Sequence, residues 1–515
     1  MRPCWRMLRT GAIVLAAGLL AAGCAWIQRV SVDAGGGDPN GCSVCSGTND
    51  PSISADGRYV AFSSRASDLV PGDGNSTDDI FRRDLLTGTT VRVSVDTGGG
   101  DPNGNSNNPS LSADGRYVAF VSAATDLVPG DSNGANDVFV RDLQVGSTAR
   151  VSVNVFGGDF RFGGEPSISA DGRYVAFSAG VGLPNVFRRD LEAGTTTQVS
   201  VDTGGGGPIS VSTQPSISAD GRYVAFSSAD LDLGGGTGTW DVFRRDLEAG
   251  TTTRLSVGDV SRPSISGDGS YVVFSSFAAL VPGDGNATRD VYLWDVAAGT
   301  TTRVSVDTGG GDPNAYSDNP SISDDGRYVV FHSLASNLVS GDSNGIEDVF
   351  VRDRVLGRTI LLSRDLFHGQ ANGASVMPRV SRDGRYVAFR SDATNLVPDD
   401  ANGVADVFIK YTRVVTVSGI SPNTISRGST KRLVITGTGF ESGSTLSIPR
   451  PTADGGTIMI RRVRVVSDTK ITALVSVPAD ASVGDWDILV WHPPTALGPT
   501  RVAAGQCSDC LQVVA

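Results

Sequence analysis

Apolar residues in this chain come in short bursts, not long stripes. Runs such as Arg116-Tyr117-Val118-Ala119-Phe120-Val121-Ser122 and Asp137-Val138-Phe139-Val140-Arg141-Asp142 are rich in aromatic and β-branched residues, which suit a pleated, buried surface. Clusters of Gly, Asp, Asn and Pro separate them, and these are turn formers. Long Ala/Leu/Glu/Lys helical runs are absent after residue 23. One unit reads as four strands: residues 109–112, 116–122, 137–142 and 149–153. An Ala113-Asp114-Gly115 turn joins the first two, since Asp-Gly tolerates positive φ. A polar loop at 130–136 and a turn at 144–147 join the others.

The unit repeats. Pro-Ser-Ile-Ser-x-Asp-Gly-Arg-Tyr-Val, or a close variant, begins at Pro51, Pro109, Pro166, Pro215, Pro263, Pro320 and Pro378, at spacings of 58, 57, 49, 48, 57 and 58 residues. Such a period marks a repeat architecture, and four short antiparallel strands per unit predict a β-propeller blade. The fourth-strand pattern follows only six of the seven copies, starting at Arg92, Arg150, Gln198, Arg254, Arg303 and, degraded, Leu361. The missing copy stands ahead of the first repeat as Arg29-Val30-Ser31-Val32-Asp33, followed by the same Gly-rich stretch. The expectation is an all-β, seven-bladed propeller closed by an N-terminal strand at 29–33, which removes free sheet edges.

The repeat core and the x-Val-[Phe/Tyr]-x-x-Asp strand after it resemble the WD40-like repeats of TolB-type β-propellers over residues 29–410. That resemblance implies protein contact in the cell envelope. It also implies a structural role for the aspartate ending the third strand: Asp84, Asp142, Asp190, Asp246, Asp295 and Asp353, with Tyr411 in the seventh copy. The period stops after Tyr411. Ile420, Pro422, Gly428, Ile435, Gly437, Gly439, Phe440 and Gly443, then 471–475, Pro478 and 484–490, resemble the IPT/TIG immunoglobulin-like fold. This implies a C-terminal immunoglobulin-like β-sandwich serving as spacer or protein contact. The expected layout is a signal peptide at 1–23, the propeller at 24–412 and the sandwich at 413–515.

Arg2, Arg6 and Arg9 precede an apolar stretch at 11–20 that is too short to span a bilayer, as in a bacterial secretory signal. Leu20-Ala21-Ala22-Gly23-Cys24 resembles a lipoprotein lipobox, which implies lipid attachment at Cys24 and membrane anchoring. Ordinary cleavage near Ala25, releasing a soluble exported protein, is the alternative. The leader carries three arginines and no acid, and residues 414–515 carry nine Lys/Arg against seven Asp/Glu. The repeat region therefore holds more than the whole chain's net −12. Such a body repels phosphate backbones and excludes nucleic acid as a partner. Cys42/Cys45 and Cys507/Cys510 are both Cys-x-x-Cys. Four thiolates can hold zinc, but an oxidising compartment favours disulfides at these cysteines.

Loops between second and third strands share one face of the ring with the links between repeats. Most carry Asp-x-Asn: Asp73-Gly74-Asn75, Asp131-Ser132-Asn133, Asp284-Gly285-Asn286, Asp342-Ser343-Asn344 and Asp400-Ala401-Asn402. The third and fourth copies depart from it. Oxygen donors at alternating positions suit calcium, with Asp131, Asn133 and Asp137, or Asp342, Asn344 and Asp348, as ligands. The competing reading is that Asp, Asn and Gly cap their own turns. Gly-x-Ser-x-Gly occurs at 130–134 and 341–345, but a nucleophile elbow needs a strand, a helix and a histidine partner, and the chain holds only His332, His368 and His492. The expected function is a non-enzymatic envelope or secreted scaffold that binds a protein or glycan through its loop-rich face. The rivals are a polysaccharide hydrolase or lyase with channel aspartates, and a calcium-stabilised surface protein.

Overall fold

In the computed structural model, the described residues are 27–44, 51–154, 156–202, 205–206, 210–233, 238–365, 369–412, 416–440, 443–448, 456–491 and 503–514. They are all-β, with no helix among them. Two compact units divide them, one spanning Ile27–Asp365 and Gly369–Thr412, the other including Arg413–Ala515.

The first unit is a β-propeller of repeated four-stranded antiparallel sheets, seven among the described residues. The second sheet is typical: Ser106–Leu111, Tyr117–Ser122, Asp137–Asp142 and Ser147–Arg150, in that order. Its two middle strands are buried on both faces because sheets stack face to face. Val118, Phe120 and Phe139 share a core with Ala61 and Ile80 of the preceding sheet. An aromatic pair joins the middle strands of every sheet, as in Phe120–Phe139 with ring centroids 5.9 Å apart.

The outermost strand departs from expectation. It is Ser147–Arg150 rather than 149–153, and Thr89–Arg92 in the first sheet. The Arg-Val-Ser-Val segment supplies only its arginine to the strand. Val93 and Val151 then turn into the core, fully buried. Ser94 Oγ accepts from the Ile80 N–H at 2.9 Å and donates to Asp79 at 2.6 Å. The same correction applies at the N-terminus: Ile27–Arg29, not 29–33, pairs antiparallel with Asp406–Tyr411. Val30 N–H then donates to the Val407 carbonyl at 2.7 Å.

Two further series join the sheets into a circle. At the turn after each innermost strand, backbone N–H groups donate to the next sheet: Ala55 to Ala113, Ala113 to Ala170, Ala170 to Ala219, Ala219 to Gly267, Gly267 to Asp324 and Asp324 to Arg382, all at 2.8–3.1 Å. Asp383 N–H returns to the Ala55 carbonyl at 3.2 Å. Beside this belt, each repeat's tyrosine lies against the next repeat's Asp-Gly glycine. Tyr59 covers Gly115, and Tyr386 of the last sheet covers Gly57 of the first.

The C-terminal unit has two four-stranded sheets. One orders Thr416–Ser421, Thr430–Thr438, Lys470–Ser476 and Met459–Ser467; the other orders Thr424–Ser426, Ala503–Val514, Gly484–Trp491 and Thr445–Ser447. Both contribute to one apolar core, from Leu433, Ile435 and Ile471 on one side and Ile425, Ile488 and Leu511 on the other. Trp486 belongs to this core and donates its indole N–H to the Ser482 carbonyl at 3.3 Å.

Candidate functional site: central channel and loop face

The innermost strands enclose a cavity of about 360 Å³, lined by the Pro-Ser-Ile segments of the repeats and by Asn108, Glu165, Gln214, Arg262, Asp324, Arg379 and Arg382. The repeat's serines hold this wall together. Ser52 Oγ accepts from Leu111 N–H at 2.9 Å, Ser110 from Ile168 at 3.1 Å and Ser167 from Ile217 at 3.1 Å. The seventh copy has Arg379 at this position, and its guanidinium donates to Asn319 Oδ1 at 3.2 Å. Near the belt, Arg382 reaches across the channel to the Ile168 carbonyl at 3.2 Å and pairs with Asp324 at 3.3 Å. Gly267 stands where the first four repeats have alanine, and a Cβ there would meet Asp324 Cγ at 2.6 Å. Burial pushes the Asp324 carboxyl above its usual range, against the pull of Arg382.

The Asp-x-Asn loops face a guanidinium. Arg92 lies 3.4 Å from Asp73 and 3.9 Å from Asp79, and also pairs with Asp101. Arg150 lies 3.4 Å from Asp131 and pairs with Asp159. The calcium candidates Asp131, Asn133 and Asp137 are therefore brought together, but with their oxygens engaged. Asn133 donates its amide to Asp137 at 2.7 Å and accepts from Ala135 N–H at 3.0 Å, and Ser152 donates to the other Asp137 oxygen. Asp342, Asn344 and Asp348 repeat the pattern, with Asn344 donating to Asp348 at 2.9 Å and Ser363 also bonded to it. Among the described residues no cluster of three or more His, Cys, Asp or Glu is arranged to hold a metal. Burial pushes Asp79, Asp290, Asp342 and Asp406 up to about 6. The third sheet loses both charges together, with Gln198 and Asn185 at the Arg and Asp positions, whereas the sixth keeps Asp348 but has Leu361 in place of the arginine.

The aspartates ending the third strands sit on the opposite edge of the sheets. Asp142 receives Arg116 through Nε at 2.9 Å and Nη2 at 2.5 Å, and accepts from Gln144 N–H at 2.9 Å. That arginine holds its carboxyl down at about 2. Arg58–Asp84, Arg173–Asp190, Arg222–Asp246 and Arg327–Asp353 form the same fork. Asp295 caps its turn through Ala298 N–H at 3.0 Å, with Ser270 in place of the arginine. These carboxylates fasten turns.

Exposed apolar side chains on the loop face gather around the third to fifth sheets. Phe156 is 94% exposed, Val181 68%, Leu183 52%, Leu231 55% and Phe277 49%. The strand order puts all of them at the same end of the sheets, in second-to-third-strand loops or in the link between sheets. The sequence sets the third and fourth copies apart but carries no sign of this exposure. Ser132 and Ser343 of the Gly-x-Ser-x-Gly motifs lie exposed on Asp-x-Asn loops. Cys42 and Cys510 are disulfide-bonded, which withdraws them from a thiolate zinc site. The leader with Cys24, and also Cys45, His368 and His492, lie outside the described residues, as does the Cys507 side chain.

No family model matches the chain, and no curated protein does. Solved structures do. A protein assigned as TolB from Agrobacterium tumefaciens is 18% identical, with 64% of this chain and 97% of that one covered and a TM-score of 0.36. TolB from Acinetobacter baumannii is 15% identical, over 69% and 80%, at 0.35. The β-propeller domain of the Trilobed protease from Pyrococcus furiosus is 12% identical, over 72% and 95%, at 0.44.

Proposed function

We propose that this chain is a non-enzymatic, exported binding scaffold: a seven-bladed propeller closed by its N-terminal strand and followed by an IPT/TIG-like immunoglobulin sandwich. The loop face contacts an envelope protein or glycan, and lipidation at Cys24 holds the molecule at a membrane. The carrying observation is the apolar sector around Phe156, Val181, Leu183 and Leu231, which stands where the Asp–Asn–Arg arrangement lapses. Contiguous exposed apolar surface on a folded protein marks an interaction site. The channel carboxylates support binding over hydrolysis. Glu165 accepts from the Ser178 hydroxyl at 2.9 Å and Gln214 N–H at 2.8 Å, and Asp324 faces Arg382.

The test is affinity capture from envelope extracts and a glycan array, each run with the wild type and with a Val181→Asp/Leu183→Asp variant. The reading requires a partner that the wild type retains and the variant loses at an unchanged melting temperature. Retention by both, or turnover of a polysaccharide abolished by one Asp substitution, removes it. Fatty-acid labelling of wild type against Cys24→Ser tests the anchor separately.

A further inference from the structure

The channel has a feature that its scaffold does not require. In six sheets the residue before the repeat's proline has left-handed backbone: Asn108 at φ 52°, Glu165 at 51°, Gln214 at 55°, Arg262 at 55°, Asn319 at 55° and Met377 at 56°. Each sits at a register slip in the innermost strand, as between Asn107 and Ser110. Glycine is the residue that adopts this backbone without strain. The chain has 65 glycines and places none at these positions. Around them Pro and Ser scarcely vary, while the residue itself changes from copy to copy. Side chains kept at strained backbone positions cluster at functional sites.

Three of the six serve the scaffold, Asn319 by accepting from Arg379 at 3.2 Å. Glu165 Oε2 accepts from Gln214 N–H at 2.8 Å, and Gln214 Oε1 accepts from Arg262 N–H at 2.9 Å. That relay ends at Arg262, whose guanidinium has no hydrogen-bond or ion-pair partner among the described residues. The other charged groups of the channel are engaged: Arg382 with Asp324, Arg379 with Asn319, and Glu165 with Ser178. One cation is therefore left over in the cavity. On the opposite side of the ring, Asn108 Oδ1 is buried with no hydrogen-bond partner among the described residues.

We infer that the central channel binds a ligand bearing a carboxylate, which Arg262 holds, while a hydroxyl or N–H of the same ligand donates to Asn108 Oδ1. The planar guanidinium fork matches a carboxylate through two parallel hydrogen bonds. A buried carbonyl oxygen without a donor is costly, so a ligand donor there is favoured. The cavity, about 360 Å³, falls in the range of small-ligand sites, and the Arg382 bridge gives it a floor. A sugar acid and the free C-terminus of a peptide share this chemistry. The site stands apart from the apolar sector of the loop face.

The experiment is calorimetric titration of the full chain with glucuronate against glucose, and with trialanine against its C-terminal amide. The expected result is binding of at least one acid and not of its neutral counterpart. Glucuronate alone identifies a sugar acid, and trialanine alone a peptide terminus. Arg262→Asn is expected to weaken that binding at least tenfold while the melting temperature stays within a few degrees. Asparagine already occupies the same backbone position at Asn108 and Asn319, so folding is not at risk. Arg262→Lys keeps the charge without the fork and is expected to bind between the two. The Val181→Asp/Leu183→Asp variant is expected to bind the acid as the wild type does. No acid binding, or binding undiminished in Arg262→Asn, overturns the inference.

Discussion

The guanidinium of Arg29 lies 3.5 Å from the Asp406 carboxylate and the same distance from Asp400, so a residue from the start of the repeat array completes an acid cluster at its end. The first, second and fifth sheets build this cluster from their own strands and loops, around Arg92, Arg150 and Arg303. The last sheet borrows it: Ser31 donates to Asp406 at 2.6 Å, Ala401 N–H donates to Asp38 at 3.0 Å, and Asn402 donates to the Pro39 carbonyl at 3.1 Å. Together with the belt bond from Asp383 to Ala55, this closes the ring on two edges at once.

Removing Arg29 leaves two buried carboxylates facing each other. Arg29→Met is expected to cost about 3–5 kcal/mol at pH 8, the usual penalty for breaking a buried pair. The loss is expected to shrink at pH 5, where the carboxyls accept protons and no longer need a cation. Urea denaturation at the two pH values checks this. Equal losses would mean that Arg29 acts by packing alone.

The wild type has its own pH dependence. Burial raises Asp79, Asp290, Asp342 and Asp406 from 3.8 to about 6. Between those limits the folded state binds more protons than the unfolded chain, so stability falls as pH rises. The Arg-paired Asp142 and Asp246 lie at about 2. Their contribution is present above the unfolded value and is lost as pH falls from about 4 towards 2. The melting temperature is therefore expected to peak between about pH 3 and 4, where the two trends cross, and to decline towards pH 7. A melting temperature that climbs steadily from pH 4 to pH 7 contradicts this assignment.

Much of this fold is written in the repeat, and the departures have physical causes. The third strand, Asp137–Asp142, is legible to the residue, because an aspartate closes each end of an apolar run. The outer strand is misplaced by sequence pattern because Arg150-Val151-Ser152-Val153 alternates like a strand, while Ser147–Arg150 is the half-exposed outer edge and reads as a turn. Ser152 is a buried partner of Asp137, not a surface residue. The acid loops are legible as acid, but their cation comes from a strand some 19 residues away in the Arg150–Asp131 case, beyond the reach of a local motif. The left-handed backbone of the channel residues escapes a pattern of apolar and polar positions, although one variable position beside an almost constant Pro-Ser-Ile is a visible signal.

Arginine in these loops bears on calcium. Asp131 and Asp137 already face Arg150, and their neighbours donate to them. A divalent ion would have to displace that guanidinium into solvent. Excess EDTA is expected to leave the melting temperature unchanged, and calcium titration to release no heat. A rise of several degrees with calcium, lost in Asp342→Asn, would show that the ion takes the arginine's place.

The tyrosine–glycine series gives a test of closure at the seam. A Cβ on Gly57 would lie 2.3 Å from the Tyr386 ring, and its φ is 77°. Gly283 has a similar φ of 85°, but a Cβ there would meet nothing within 4 Å. Gly283→Ala is therefore expected to cost about 1 kcal/mol, the backbone strain alone. Gly57→Ala carries that strain and must also move Tyr386 away from the first sheet, for a total of about 2–4 kcal/mol. The two substitutions differ only in what surrounds them, so the difference between their urea midpoints measures the contact across the seam. If Tyr386→Ala, which removes the ring, brings the Gly57→Ala cost down to that of Gly283→Ala, the excess belongs to the Tyr386–Gly57 contact. If it does not, the first and last sheets are held by the belt and the Arg29 cluster without help from the tyrosine.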